Sequence, residues 1–271
     1  MLKYLLLTKP NKNYKMNTVE NILERISNAK QLDFGTIFSD SIELFKKTWL
    51  QGFLLQIITI LIMLPLIMVI YIPIFTMILA QSENGYMDPD PFSGFFEGMS
   101  ILYILFIVVA IFALTTLSFV LNAGFFRIMK KLDFNETVAT ADLFYFFKAK
   151  YFNTTFLLML ATIGIAICAA LLCYLPIFYV MVPLSFFTLV FAFNPEMSVG
   201  DIVKVSFKLG NKKWLLAFGL IIVSSILAQI VGMLMCFVGV LFTAPFVYHP
   251  TYIIYKEVIG FEENSNTEII E

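Results

Sequence analysis

Four long stretches of the chain contain no Asp, Glu, Lys or Arg, and together they cover more than half of its 271 residues. They run over residues 48–82, 98–126, 151–195 and 214–255. Only 14% of all residues are charged, whereas soluble domains carry roughly 25%. A water-soluble core of this length could not bury so much apolar surface. The pattern therefore predicts an all-α, polytopic helix bundle in a lipid bilayer.

The lengths of these stretches predict the number of membrane crossings. A helix needs about 20 residues to cross a hydrocarbon core about 30 Å thick, because each residue rises about 1.5 Å. The first two stretches fit one crossing each, and Pro65 and Pro73 are expected to kink the first. Each of the last two is long enough to fold back as a hairpin, near residues 173–176 and 232–239. Six transmembrane helices are therefore predicted, at about residues 53–80, 99–123, 155–173, 176–193, 214–234 and 237–255.

The charges between the spans predict the orientation in the membrane. Loop 81–98 carries acidic residues and no Lys or Arg, so every basic residue falls on the other side. By the positive-inside rule that side is cytoplasmic, and an even number of spans puts both termini there, as expected for a bacterial inner-membrane protein. Residues 1–32 are then an N-terminal cytoplasmic segment, 33–259 the membrane domain and 260–271 a disordered acidic tail. Met16 is an alternative translation start, because the residues before it fit no later pattern.

The surroundings of the only two tryptophans, Trp49 and Trp214, repeat along the chain. Aligning the two tryptophans (214 − 49 = 165) needs no gap and also matches Lys47 with Lys212. The same register gives identical residue types at Ile37, Ser41, Leu44, Leu50 and Phe53. A weaker third copy runs over residues 142–156.

We therefore predict three units, each an amphipathic helix in the plane of the headgroups followed by a transmembrane hairpin. Trp49 and Trp214 are expected at the membrane boundary, with Lys47 and Lys212 facing lipid phosphates. The alternative is convergence, since cytoplasmic segments before a span tend to carry lysines and then an aromatic residue. Membrane lipids are the expected partners, and both a protein partner and a homo-oligomer stay open.

The polar residues inside the spans are uncharged. Gln56 and Gln229 are candidates for central polar contacts, because an amide is costly to leave unpaired in hydrocarbon. Asn122 lies at the predicted cytoplasmic end of the second span and is a further candidate. His249 lies near the cytoplasmic end of the sixth span, among tyrosines, and is the fourth candidate for an intramembrane polar contact. An aromatic belt there predicts an interfacial polar side chain, and the alternative is a proton-responsive residue.

No catalytic, metal or cofactor site is predicted. His249 is the only histidine, which argues against an iron or zinc site built from several histidines. The three cysteines form no Cys-x-x-Cys pair, and no Gly-rich phosphate loop or nucleophile motif occurs. The formal net charge of −1 gives no reason to expect nucleic-acid binding.

Three segments carry a resemblance to a known group of proteins: residues 33–50 (DFGTIFSDSIELFKKTWL), 195–204 (PEMSVGDIVK) and 243–249 (TAPFVYH). They resemble an uncharacterised family of six-span membrane proteins from Bacteroidota-type bacteria. The layout is more distantly similar to the membrane domain of some glycerophosphodiester phosphodiesterases. The resemblance covers nearly the whole chain from about residue 30 and implies no known catalytic residues. Members are sometimes labelled carotene oxygenases. Carotenoid-cleaving enzymes hold iron through several histidines, so we predict that this label does not apply.

Three functions are open to a chain of this kind. We expect a non-enzymatic membrane protein that organises lipid or a partner complex. The alternative is a transporter or channel for a lipidic or uncharged solute, because charged substrates usually leave an ionisable residue in the membrane. A membrane enzyme that acts on lipid is the least expected, since no catalytic set of residues is found. A bundle interior without any cavity would exclude the transporter.

Overall fold

The computed structural model of the protein describes residues 18–83, 85, 100–172 and 175–261. Every regular element in these ranges is a helix, so the prediction of an all-α bundle is confirmed. The α-helices are α1 (Val19–Ser27), α2 (Phe34–Glu83), α3 (Ile101–Asp133), α4 (Ala149–Leu171), α5 (Leu175–Ser185), α6 (Phe187–Phe193), α7 (Val199–Lys212), α8 (Trp214–Leu234), α9 (Val240–Thr243) and α10 (Tyr248–Val258). Two 3₁₀ helices, Thr140–Phe144 and Ala244–Val247, precede α4 and α10. The predicted acidic tail and most of loop 81–98 lie outside the described residues.

Five described helical stretches are long and apolar enough to cross a membrane. They are α2, α3, α4, the stretch Pro176–Phe193 that contains α6 and most of α5, and α8. They fall where the first five spans are predicted, and the bounds of α8 coincide with the predicted 214–234. Length and hydropathy alone decide such spans, and both can be read from a sequence.

The predicted sixth span, 237–255, is not one helix. It comprises α9, the 3₁₀ helix Ala244–Val247 and α10 in succession. Pro245 and Pro250 account for the interruption, because a proline ring removes a backbone donor and clashes with the preceding turn. Six crossings therefore remain a prediction, and the described residues contain five helical stretches of crossing length.

The first predicted in-plane helix does not exist as a separate element, which corrects the three-unit architecture. Residues 34–83 form one uninterrupted helix, α2, about 75 Å long. Its buried stripe continues at helical spacing past Trp49 into the span, so nothing favours a change of direction there. The stripe consists of Ile37, Ser41, Leu44, Thr48, Gly52 and Leu55.

The second and third predicted units differ from each other. Residues 140–144 form only a short 3₁₀ helix before α4, so the second unit also lacks its amphipathic helix. In the third unit the amphipathic helix is present as α7. It starts at a cap in which Ser198 Oγ accepts from the Asp201 N–H at 3.2 Å, and it ends at Lys212. The backbone of Lys213 then separates α7 from α8.

Helix α3 continues past residue 123, the predicted end of the second span, as far as Asp133. Phe125 and Ile128 in this extension are buried against the rest of the bundle, and their burial favours continued helix outside the span. Asn122 therefore lies within α3 rather than at its end.

The helices pack closely at one end of the bundle and loosely at the other. The packed end, as we call it, comprises residues 19–27, 37–55, 119–133, 143–159, 182–221 and 245–259 and holds nearly all of the buried side chains. The apolar end comprises residues 60–83, 101–111, 160–172 and 222–238, where exposure reaches 84% for Ile101 and 80% for Leu171. Transmembrane helices gain little by burying such side chains against one another, because lipid tails are equally apolar.

Basic residues and the N-terminal helix both belong to the packed end. The described Lys and Arg residues all lie in it or in the loops beside it. Helix α1 buries Ile22 and Ile26 and packs beside α7. Arg25 Nη1 donates to the Ile259 carbonyl oxygen at 2.7 Å, which joins the beginning of the described chain to its end.

Candidate functional site

The two predicted tryptophan anchors both lie at the packed end but differ in exposure. Trp49 is 45% exposed and lies against Phe242, with 6.1 Å between the ring centroids. Trp214 is half-buried, and its Nε1 donates to the Tyr179 carbonyl oxygen at 3.0 Å. Trp49 therefore presents the larger surface to the surroundings of the protein.

The predicted lysine anchors bond to protein groups while remaining exposed. Lys47 Nζ donates to Asn135 Oδ1 at 3.1 Å, and Lys212 Nζ donates to the Ser27 carbonyl oxygen at 3.0 Å. Both side chains are exposed, and their contact with lipid phosphates stays a prediction.

The residues that the tryptophan alignment pairs share the same burial. The aligned pairs Ile37/Ile202, Ser41/Ser206 and Leu44/Leu209 are buried at all six positions. The matched segments thus face the interior with the same residue types, although α2 is continuous and α7 is separate from α8. The internal repeat itself stays a prediction.

The three predicted amides occupy three different environments. Gln229 lies exposed on the outer side of α8, so its predicted role as a central contact is wrong. Gln56 is half-buried on α2. Asn122 faces the interior: its Nδ2 donates to the Ser118 carbonyl oxygen at 2.9 Å, and its Oδ1 is buried without a partner among the described residues.

His249 is fully buried, which corrects its predicted place at the interface. Its Nε2 lies 2.6 Å from Thr48 Oγ1, and its Nδ1 lies 3.1 and 3.2 Å from the carbonyl oxygens of Pro245 and Phe246. A proton on Nδ1 satisfies this geometry, because that nitrogen faces only acceptors. Thr48 Oγ1 also lies 3.1 Å from the Leu44 carbonyl oxygen, so its single hydrogen is shared between that oxygen and the closer Nε2 of His249. Pro250 has no N–H to offer the Phe246 carbonyl, so the ring N–H replaces it. The histidine therefore joins α10 to α2 as a neutral, structural group.

A cavity of about 160 Å³ lies at the packed end among α3, α5, α6, α8 and α10. Its polar lining consists of Asn122, Ser185, Thr188, Tyr248 and Thr251, and apolar side chains such as Met181 and Ile221 complete the wall. No charged side chain of the described residues lines it. The cavity can therefore offer hydrogen bonds but no counter-charge to a bound molecule.

Two larger depressions are less suited to be a site. One, of about 450 Å³, is a surface groove between α1 and α7, and the other, of about 430 Å³, is lined by apolar side chains of α2. Both are more open than the cavity among the five helices, and the depression on α2 offers only Tyr71 as a polar side chain. We therefore take that cavity as the candidate site.

Basic and aromatic side chains meet where the 3₁₀ helix Thr140–Phe144 leads into α4. The Arg127 guanidinium lies 3.7 Å from the centroid of the Tyr145 ring, and Lys148 Nζ lies 4.4 Å from the same centroid. Phe147 and Phe152 are exposed beside them. We call this surface the basic rim, and it consists of Arg127, Tyr145, Phe147, Lys148, Lys150 and Phe152.

An ion pair holds the 3₁₀ helix beneath the basic rim to α3. Lys131 Nζ lies 2.8 and 2.9 Å from the two carboxylate oxygens of Asp142. Burial acts to raise the pKa of Asp142, but the Ala139 N–H and the Lys131 ammonium that bond to the carboxylate outweigh it. The pKa of Asp142 therefore lies below its ordinary value, and the group is charged at neutral pH.

Four polar residues near these sites gave no distinct signal in the sequence. Thr48, Thr188 and Thr251 are ordinary hydroxyl residues within apolar runs, and Tyr248 is indistinguishable there from a tyrosine of an interfacial belt. Only Thr48 gives a hint, because it lies on the same helical stripe of α2 as Ser41 and is therefore expected to face inward. Ser185 belongs to the neutral polar residues of the predicted spans.

Comparison of the chain with protein-family models, with curated proteins and with solved structures returns no match. The family resemblance therefore stays a prediction. The described residues contain no group of three or more His, Cys, Asp or Glu side chains that could hold a metal ion. Any functional conclusion must come from the geometry of the bundle itself.

Proposed function

We propose that the protein is a non-enzymatic integral membrane protein of the bacterial inner membrane that organises lipid, or a partner complex, at the cytoplasmic leaflet. The asymmetry of the bundle is the observation that carries this proposal. Basic side chains gather at the packed end, while the apolar end exposes large hydrocarbon side chains. By the positive-inside rule the basic, packed end faces the cytoplasm. The proposal therefore includes cytoplasmic termini, which six crossings would return to the same side.

The basic rim supports lipid as the partner. Lys148 and Lys150 are exposed beside Phe147 and Phe152, so cations and aromatic rings share one surface. Aromatic side chains favour the headgroup level, and each Lys or Arg near an anionic leaflet contributes about 1 kcal/mol. This combination is typical of a surface that rests against anionic headgroups.

A matched pair of charge variants tests the proposal. K148Q/K150Q removes two lysines from the basic rim, and K204Q/K208Q removes two exposed lysines from α7, which carries no comparable exposed phenylalanines. Phosphatidylglycerol retained after delipidation should fall on the order of tenfold for K148Q/K150Q, since about 1 kcal/mol is lost per lysine and Glu196 already pairs with Lys150. K204Q/K208Q should change it little. Equal losses in the two variants would contradict a specific role of the basic rim.

The cavity favours a second candidate, a transporter or channel for an uncharged solute. The bundle interior is not solid, and the cavity wall carries neutral polar groups from several helices.

Proteoliposomes with the purified protein should then take up glycerol faster than protein-free vesicles do. The variant S185F, which fills the cavity, should abolish the difference. If vesicles with K148Q/K150Q still carry glycerol and vesicles with S185F do not, transport is favoured over lipid organisation. Absence of flux in wild-type protein would remove this candidate.

A further inference from the structure

We infer that the cavity is a binding site for a small, uncharged molecule that donates hydrogen bonds, such as a polyol of the size of glycerol. This goes beyond the proposed function, because it assigns a ligand class to a site. It holds whether the ligand crosses the membrane or is retained.

Two of the four hydroxyl groups of the cavity wall have already used their hydrogens. Ser185 Oγ donates to the Val182 carbonyl oxygen at 2.7 Å, and Thr251 Oγ1 donates to the Tyr248 carbonyl oxygen at 2.9 Å. A serine or threonine hydroxyl carries a single hydrogen and two lone pairs, so these oxygens are left as acceptors.

Asn122 adds the strongest acceptor of the wall. Its Nδ2 is engaged by the Ser118 carbonyl oxygen at 2.9 Å, whereas its Oδ1 is buried with no partner among the described residues. The opposite amide orientation would place Oδ1 against the Ser118 carbonyl oxygen, which is repulsive, so the assignment stands on chemistry. Asn122, Ser185 and Thr251 thus give the wall three acceptors, and the hydroxyls of Thr188 and Tyr248 can donate. The wall therefore suits a molecule that both donates and accepts hydrogen bonds, as a polyol does.

Two more unpartnered oxygens lie on the helices that form the cavity. Ser118 Oγ is one turn before Asn122 on α3, and Ser224 Oγ is one turn after Ile221 on α8. Both are buried without a partner among the described residues. Neither of these two serines lines the cavity, whereas Asn122 does. Buried polar atoms are nearly always satisfied, so the unpartnered Asn122 Oδ1 in the cavity wall points to an occupant.

Charge and size restrict that occupant. An ion would be buried without a counter-charge, because no charged side chain of the described residues lines the cavity. The volume of about 160 Å³ corresponds to about five water molecules at roughly 30 Å³ each. A compact molecule with several hydroxyl groups fits both limits, and a whole lipid does not.

Protection of an introduced thiol tests the inference in the full chain. Cys168, Cys173 and Cys236 are replaced by Ala, Ser185→Cys is introduced, and its modification by N-ethylmaleimide is followed in detergent micelles. Glycerol should slow the reaction saturably, about threefold when its concentration is twice its Kd. The compound 1,2-dimethoxyethane accepts hydrogen bonds but cannot donate to Asn122 Oδ1, so it should protect clearly less at the same concentration.

The control variant is Thr162→Cys on α4, whose native hydroxyl is also bonded to its own helix but does not line the cavity. Glycerol should leave the modification rate of Thr162→Cys unchanged, which separates occupancy of the cavity from an effect of viscosity.

Should Ser185→Cys fail to fold, Thr251→Cys takes its place. Equal protection by both compounds, equal slowing at Thr162→Cys, or no protection at any concentration would overturn the inference and leave water as the occupant. A thiol that N-ethylmaleimide never reaches would overturn it too, because the cavity would be sealed. None of these results depends on lipid retention at the basic rim.

Discussion

The packed end and the apolar end are formed by the same helices but are stabilised by different surroundings. Leu158 and Leu171 show the contrast within α4, because the first is fully buried by protein and the second is 80% exposed. Both stand in one stretch that contains no charged residue. Lipid tails can satisfy an apolar side chain as well as another helix can, so hydropathy alone does not tell which end of a span packs.

The largest expected difference between the ends comes from truncating these two leucines. Leu158→Ala should lower the free energy of unfolding by about 2–5 kcal/mol, since it opens a cavity in a packed core. Leu171→Ala removes the same atoms where no protein contacts surround them and should change stability by less than about 0.5 kcal/mol. Unfolding in mixed micelles measures both. Equal losses would show that the apolar end packs against protein after all.

Two glycines sharpen the comparison by adding atoms instead of removing them. A Cβ at Gly124 would overlap the Leu143 backbone, whereas one at Gly164 meets nothing within 4 Å. Gly124→Ala should therefore destabilise by about 1–3 kcal/mol through overpacking. Gly164→Ala should be neutral or stabilise by up to about 1 kcal/mol, because alanine is the better helix former. The same unfolding titration decides, and a destabilised Gly164→Ala would contradict an open apolar end.

The buried histidine offers a smaller contrast. Thr48→Val keeps the shape of the side chain but leaves His249 Nε2 without its partner, which should cost about 1–2 kcal/mol. Thr162→Val makes the same change on α4, where the hydroxyl bonds only to its own helix, and should cost less than about 0.5 kcal/mol. If both variants unfold at the wild-type midpoint, the Thr48–His249 contact does not join α2 to α10.

The smallest effect concerns the ion pair beneath the basic rim. The pKa of Asp142 is lowered in the folded protein, so its contribution is fully present above the unfolded pKa of about 3.9 and is lost as pH falls through the folded pKa. Asp142→Asn should cost about 1 kcal/mol at pH 7, and the difference from wild type should vanish at strongly acidic pH. Glu43→Gln removes an exposed pair with Lys46 and serves as the matched control, with an effect below about 0.5 kcal/mol. A difference that persists in acid would contradict the role of the carboxylate charge.

The sequence predicted the long apolar helices well and the polar contacts poorly, for physical reasons. Span positions depend on length and hydropathy, and α8 was located to the residue. The continuity of α2 depends on a buried stripe whose packing partners lie far along the chain, and no local signal at Trp49 reports it. His249 was placed at an interface because tyrosines surround it in sequence, yet Pro245, Pro250 and Thr48 bury it through tertiary contacts. For Gln229, residue type suggested a buried amide, but helix register faces it outward.

Cysteine accessibility across the membrane tests the central claim most directly, namely that the packed end lies on the cytoplasmic side and the apolar end in hydrocarbon. In a cysteine-free background, Gly85→Cys, Val109→Cys and Lys204→Cys are treated with an impermeant maleimide on intact spheroplasts and again after permeabilisation. Gly85→Cys should react at once, Lys204→Cys only after permeabilisation, and Val109→Cys in neither case, because its exposed position on α3 faces lipid tails. Labelling of Lys204→Cys on intact spheroplasts, or ready labelling of Val109→Cys in the membrane, would contradict the account.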